Sequence, residues 1–172
     1  MLKQVLVPLD GSALSEQAIN YATNVIAPGG KVILLSVIEV PTDYEYALVD
    51  VPMTLVTARQ FSEAEYNTAY KRVQDYLAGF SRKLTAKGFT VETIIETGEP
   101  ATVINDTANK HKVEAIVMTT HGRTGLNRWL FGSVTQKVIS HMTRPVLVVP
   151  GTVPEKVQVP IGDGQEAPVT NS

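Results

Sequence analysis

Two short polar stretches, each directly behind an apolar run, hold the side chains that could do chemistry. The first is Asp10-Gly11-Ser12, behind Val5 to Leu9 (VLVPL). The second runs from Thr119 to Thr135, behind Ala115 to Met118, and carries Gly122, Arg123, Gly125, Arg128, Gly132, Ser133 and Thr135. Strand, glycine-bearing loop and helix in that order set the free N–H groups of a helix N-terminus where an anion can dock. Spacing alone leaves two readings of Gly132-Ser133 open. In one, the glycines make turns and Ser133 caps its helix, in a capping box with Gln136. In the other, the N–H groups of residues 132 to 135 and the hydroxyls of Ser133 and Thr135 hold phosphate oxygens. Neither a Gly-Lys-Ser/Thr loop nor a GxGxxG fingerprint is present, so a Walker A site and a dinucleotide fold are set aside.

Other chemistries fare worse. The three histidines, His111, His121 and His141, lack the i, i+4 spacing of a zinc helix, and there is no cysteine to join them. Asp10, His121 and Ser133 hold the residue types of a hydrolase triad, but Ser133 sits at a helix start without a GxSxG elbow. Arg123 and Arg128 could neutralise phosphate, although arginines in a polar loop are more often solvated.

The elements that must position these residues read as alternating strands and helices. Val5 to Leu9 is a strand buried on both faces. Ser12 is placed to cap a helix carrying Leu14, Ala18, Ala22 and Val25, with Pro28-Gly29-Gly30 as its stop. Lys31 to Ile38 gives the second strand, which makes a βαβ unit and a parallel sheet. Glu39 to Val56 has no sustained period and reads as a long loop. A helix from about Thr57 to Lys87 follows, closed by Gly88 at C′. Phe89 to Glu96 is the third strand. Pro100 stands at N1 of a third helix, which turns Val103, Ile104 and Ala108 inward and ends near Lys110-His111. The Thr119 to Thr135 stretch, its helix and a last strand, Val146 to Val149, complete the count. The expectation is an α/β doubly wound sheet of five parallel strands with four helices, whose strand order spacing does not give.

Composition narrows the function classes. The chain has 172 residues, 44% hydrophobic and 19% charged, as suits one soluble domain. A net charge of −2 argues against a general nucleic-acid-binding surface. Zero cysteines fits a reducing compartment. No apolar run approaches the roughly 20 residues a membrane span needs. The N-terminus meets Asp10 and Gly11 too early for a signal peptide, so a cytoplasmic protein is expected. Residues 151 to 172, rich in proline and glycine, read as a flexible tail, with an edge strand at Lys156 to Val159 as the alternative.

Three segments together, VLVPLDGS, ETGEP and VMTTHGRTGLNRWLFGSVTQKVISHMTRPVLVVP, resemble the universal stress proteins of the UspA-like family. The likeness covers residues 1 to 150 nearly continuously, which makes that span the expected domain. It implies strand order 3-2-1-4-5, an adenine-nucleotide alpha-hydrolase-like fold, and a homodimer paired through the fifth strand. One branch of the family binds ATP and is marked by glycine, two residues, glycine, nine residues, glycine, then Ser or Thr. Gly122, Gly132 and Ser133 match that pattern, but Thr119 occupies the first glycine position. Glycine there lets backbone approach the nucleotide closely, so the motif is weakened.

Carried over by position, the resemblance puts Pro8, Leu9 and Asp10 beside the adenosine, with the Asp10 carboxylate accepting from ribose hydroxyls. Val37 would touch the adenine. Met118, Thr119, Gly122 and Arg123 would line the ribose–phosphate side, and Gly132, Ser133, Val134 and Thr135 would surround the phosphates. The expected ligand is ATP, or ADP or AMP, with Mg or Mn held through the phosphates and no metal ligand from protein side chains. Hydrolysis would be slow or absent, because no dedicated base stands beside the loop; whether the chain is an enzyme stays open. The alternative is a UspA-like dimer that binds no nucleotide and acts through a protein partner, as the departure at Thr119 would favour.

Overall fold

The computed structural model describes residues 1–39, 63–120 and 132–151. The expected 39–56 loop beyond Glu39, residues 57–62 of the expected second helix, the 121–131 loop and residues 152–172 of the tail lie outside these. Nine elements follow one another: β1 (Leu2–Pro8), α1 (Ala13–Val25), β2 (Ile26–Ile38), α2 (Glu63–Ala86), β3 (Thr90–Thr97), α3 (Pro100–Lys110), β4 (Ala115–Thr120), α4 (Ser133–Ser140) and β5 (Val146–Pro150). The strands pair in parallel in the order β3-β2-β1-β4-β5, as the resemblance implied.

The apolar runs are continuous because the central strands bury both faces. On β1, Val5 and Val7 point to one side and Leu6 to the other; on β2, Val32 and Leu34 oppose Ile33 and Leu35; on β4, Ala115 and Val117 oppose Ile116 and Met118. One set joins Ala18, Ile19 and Ala22 of α1 and Leu77 and Leu84 of α2. The other joins Ala101, Ile104 and Ala108 of α3 and Val138 of α4. The result is two helices on each face of one sheet.

Local rules account for most ends. Ser12 caps α1 by accepting from the Ser15 N–H. Glu99 caps α3 and Pro100 opens it. Past α2, the Gly88 N–H reaches Thr85 O at 2.9 Å and the Phe89 N–H reaches Leu84 O at 3.2 Å. This is a Schellman closure, and it needs the positive φ of 88° at Gly88.

Two expectations are corrected. Pro28-Gly29-Gly30 is not a stop between helix and strand, because β2 has already begun at Ile26, paired with Leu2. The register then slips: Gln4 pairs with Lys31, so a two-residue step on β1 faces a five-residue step on β2. Proline offers no N–H to the ladder and Gly29 takes φ 73°, so these residues bulge out within the strand. At α4, the N-cap is Gly132 and among the described residues no side chain caps the helix. Ser133 is already its first residue, one position too late to close a capping box with Gln136.

Candidate functional site

In a doubly wound sheet the carboxyl ends of the strands beside the switch point make a natural crevice. Here α1 and α2 cover one face and α3 and α4 the other, so the switch point falls between β1 and β4, and a cavity of about 160 Å³ opens there. Its lining comes from the end of β1 and the two residues after it (Pro8, Leu9, Asp10), β2 and the residue after it (Leu35, Val37, Glu39), β4 (Met118, Thr119), the start of α3 and the first turn of α4 (Val134, Thr135), with Ser15 of α1 behind. A larger groove of about 320 Å³ between α1 and α2 touches none of the residues singled out from sequence.

The β1 end is held rigidly. Leu9 N–H donates to Leu35 O at 2.8 Å, and the buried Ser36 hydroxyl donates to Leu9 O at 2.6 Å. Both main-chain groups of Leu9 are therefore tied to β2, which fixes where Asp10 emerges. The Asp10 Oδ1 accepts from the Ser12 N–H at 2.9 Å, an Asx turn that the left-handed Gly11 (φ 81°) allows. Ser15 Oγ accepts from the Asp10 N–H at 3.3 Å and donates to Ser12 O at 3.0 Å. Burial works to raise the Asp10 pKa, but hydrogen bonds from Ser12 and Ser15 outweigh it and hold the carboxyl below its usual range. Asp10 is a carboxylate at neutral pH, able to accept from hydroxyls.

The other end of the cavity is of opposite character. The N–H groups of the first turn of α4 have no intrahelical acceptor, and among the described residues no side chain caps them. With the helix dipole they make the α4 end attractive to anions. Thr135 is buried, and its hydroxyl donates to Thr119 O at 3.2 Å. That hydroxyl ties α4 to the end of β4, so what Thr135 offers a ligand is its N–H. Ser133 is exposed on the same turn. On the far side of α4, Lys137 reaches the Glu99 carboxylate at 3.2 Å, joining α4 to the cap of α3.

Eight of the twelve residues singled out from sequence line this one cavity: Pro8, Leu9, Asp10, Val37, Met118, Thr119, Val134 and Thr135. Gly132 and Ser133 stand at its α4 end without lining it, and Gly122 and Arg123 lie outside the described residues, as do His121 and Arg128. Ser15, Leu35, Glu39, Pro100 and Ile104 line the cavity and were not anticipated there. The period of two along β2 would have found Leu35 beside Val37.

The Universal stress protein family matches residues 1–150. The chain belongs to that family. Universal stress protein MJ0577 of Methanocaldococcus jannaschii is 31% identical over 154 residues, covering 87% of this chain and 95% of that protein. Universal stress protein YxiE of Bacillus subtilis is 30% identical over 149 residues, covering 87% and 99%. The solved structure of MJ0577 superposes with a TM-score of 0.70 at 30% identity, over 89% of this chain and 99% of that one. A universal stress protein solved in complex with cAMP shares the fold, with a TM-score of 0.60 at 19% identity over 87% and 97% of the chains. In this universal stress protein Thr119, which stands at the first glycine position of the ATP-binding pattern, lies buried in the wall of the cavity. Among the described residues no helix is long and apolar enough to cross a membrane.

Proposed function

We propose that this universal stress protein is a dimeric, cytoplasmic adenine-nucleotide-binding module of a stress response, holding ATP, or ADP or AMP, with Mg or Mn on the phosphates. The observation that carries the reading is the polarity of the cavity: helix N–H groups at α4 with no cap among the described residues, a carboxylate at Asp10 and an apolar slot at Leu35 and Val37. An anionic group, a pair of hydroxyls and a flat base would match these in that order across β4, β1 and β2. The structural relative with cAMP is consistent with it. In this arrangement Gly132 to Thr135 surround the phosphates through N–H groups, Asp10 accepts from the ribose, Val37 meets the base, and Met118, Thr119, Gly122 and Arg123 close the ribose–phosphate side. No protein side chain is needed to ligate the metal. Hydrolysis is slow or absent on this reading, since neither Asp10 nor Ser133 stands as a dedicated base for water at a terminal phosphate.

The dimer reading rests on β5. It is an outer strand of the sheet, with Leu147 36% exposed and Met142 just before it 50% exposed. An edge strand with apolar side chains is a template for pairing with a second copy. The domain would span residues 1–150, with 151–172 as an appended tail.

The test is the nucleotide content of protein purified without added ligand, released by denaturation and separated by ion exchange. Near-stoichiometric adenine nucleotide, lost in Gly132→Val, is the expected result. The second reading, a UspA-like dimer acting through a protein partner without nucleotide, is favoured by Thr119. It gains the field if the protein is empty and Mg-ATP gives no thermal shift.

A further inference from the structure

α4 turns its N-terminus to the cavity, yet it is lightly anchored. Of its eight residues only Thr135 and Val138 are buried, and of these only Val138 is apolar. Its other ties are polar, and most of them lead to α3. Asn105 of α3, 8% exposed, donates from Nδ2 to the Val138 main-chain oxygen at 3.4 Å. One turn on, Asn109 Oδ1 accepts from the Thr143 hydroxyl and from Arg144 Nε, just past the end of α4. Asn105 makes its contact at a cost. Its Oδ1 is buried and has no hydrogen-bond partner among the described residues. Its neighbours on the helix, Ile104 and Ala108, and Val138 opposite belong to the apolar core of this face. Leucine has the same branched outline and would leave nothing unpaired, since Val138 O also accepts from the His141 N–H at 3.3 Å. A buried acceptor without a partner lowers stability, and residues that break the packing rules in this way concentrate at functional sites.

We infer that Asn105 is a positioning residue for the phosphate end of the site: its amide fixes how α4 leans on α3, and so where the first-turn N–H groups meet an anion. The inference rests on the nucleotide reading above. Pro100 and Ile104 of α3 line the cavity, as do Val134 and Thr135 of α4, so Asn105 joins two of its walls. Thr135 fixes the first turn of α4 to β4, and Asn105 fixes the next turn to α3. A short helix held at both points cannot tilt. Hydrogen bonds weaken steeply with distance and angle, so a tilt costs the phosphates their grip and leaves the nucleoside end alone.

The experiment measures affinities of the full chain for Mg-ATP and for adenosine, and the melting temperature of the free protein, in the wild type, Asn105→Leu and Asn105→Ala. Asn105→Leu is expected to bind ATP about fivefold more weakly, the size of one ordinary hydrogen bond, with adenosine unchanged. Its melting temperature should equal or exceed that of the wild type, because the unpaired acceptor is gone. Asn105→Ala leaves a void and should melt lower, yet show the same loss for ATP. The loss then follows the amide and not the stability. If the wild type binds ATP and Asn105→Leu keeps its full affinity, the role of Asn105 is overturned while the nucleotide reading stands. Equal losses for ATP and adenosine overturn it too, since Asn105 would then support the fold as a whole. If the wild type binds neither ligand, both readings fall together.

Discussion

Thr135 Oγ1 donates to the main-chain oxygen of Thr119 over 3.2 Å, and both residues are buried. This one bond holds the first turn of α4 against the end of β4, and so sets the height of the helix N-terminus over the cavity. Thr135→Val keeps the volume but leaves the Thr119 oxygen buried without this partner. The expected cost is about 1–2 kcal/mol in denaturant unfolding, with Thr135→Ser recovering most of it. Nucleotide affinity should fall in Thr135→Val as well, since the helix end loses its anchor. Equal stability of wild type and Thr135→Val would show that the bond contributes nothing net.

Gly151 closes β5 in a space with no room for a side chain. A Cβ there would lie 2.1 Å from Leu14 Cδ1 and 2.9 Å from Thr120 O. Leu14 can rotate away, but the carbonyl belongs to the backbone. Gly151→Ala should therefore destabilise by about 1–3 kcal/mol. Adding Leu14→Ala should restore only part of this, because the contact with Thr120 O remains. Strict additivity of the two changes would mean that Leu14 and Gly151 do not compete for the same space.

Much of this geometry was legible in the sequence, and the parts that were not share a cause. Strands buried on both faces announce themselves as unbroken apolar runs, and Gly88 and Pro100 follow from the conformations that helix ends require. Asp10, Val37, Met118 and Val134 came from the position-by-position resemblance, and the parallel order then brought them to one edge. Pro28-Gly29-Gly30 misled because a proline–glycine cluster ordinarily marks a loop, whereas here it bulges from a strand already paired at Ile26. Thr135 looked like a phosphate-binding hydroxyl because its spatial partner, Thr119, is an oxygen of the main chain that no side-chain pattern reveals. Glu39 went unnoticed because it follows the last apolar residue of β2, where alternation no longer shows.

Glu99 predicts an acid-side loss of stability. Its carboxylate accepts from the Thr102 N–H at 2.8 Å and hydroxyl at 2.9 Å and faces Lys137 at 3.2 Å. The Thr102 backbone, then its hydroxyl, and last Lys137 bring its pKa from 4.5 to about 2 against slight desolvation. A pKa lowered by folding stabilises the protein above the unfolded value, and the gain is lost as pH falls from 4.5 to 2. Since Glu99 is largely solvent-exposed, screening limits the effect to about 1 kcal/mol. Glu99→Gln should melt lower than the wild type at pH 7 and converge with it toward pH 2. A constant difference across that range would assign the effect to packing.

Tyr76 carries a buried hydroxyl with no well-formed hydrogen bond among the described residues, with Ser15 and Glu16 nearby, while its ring stacks edge-on against Phe80 at 5.2 Å. Burial, and then the charge of Glu16 nearby, raise its pKa, so it stays a neutral phenol throughout the accessible pH range. An unsatisfied buried donor costs about 1–3 kcal/mol, and deleting it leaves the ring contacts with Phe80 intact. Tyr76→Phe should therefore melt at the same temperature as the wild type or a few degrees higher, about 4 °C per kcal/mol gained in a domain of this size. Because Ser15 and Glu16 stand between this helix and the Asp10 turn, the same variant also asks whether the hydroxyl reaches the site. A lower melting temperature in Tyr76→Phe would mean that the phenol is satisfied in solution through water or Glu16. α2 would then be joined to the Asp10 turn by a polar contact as well as by packing.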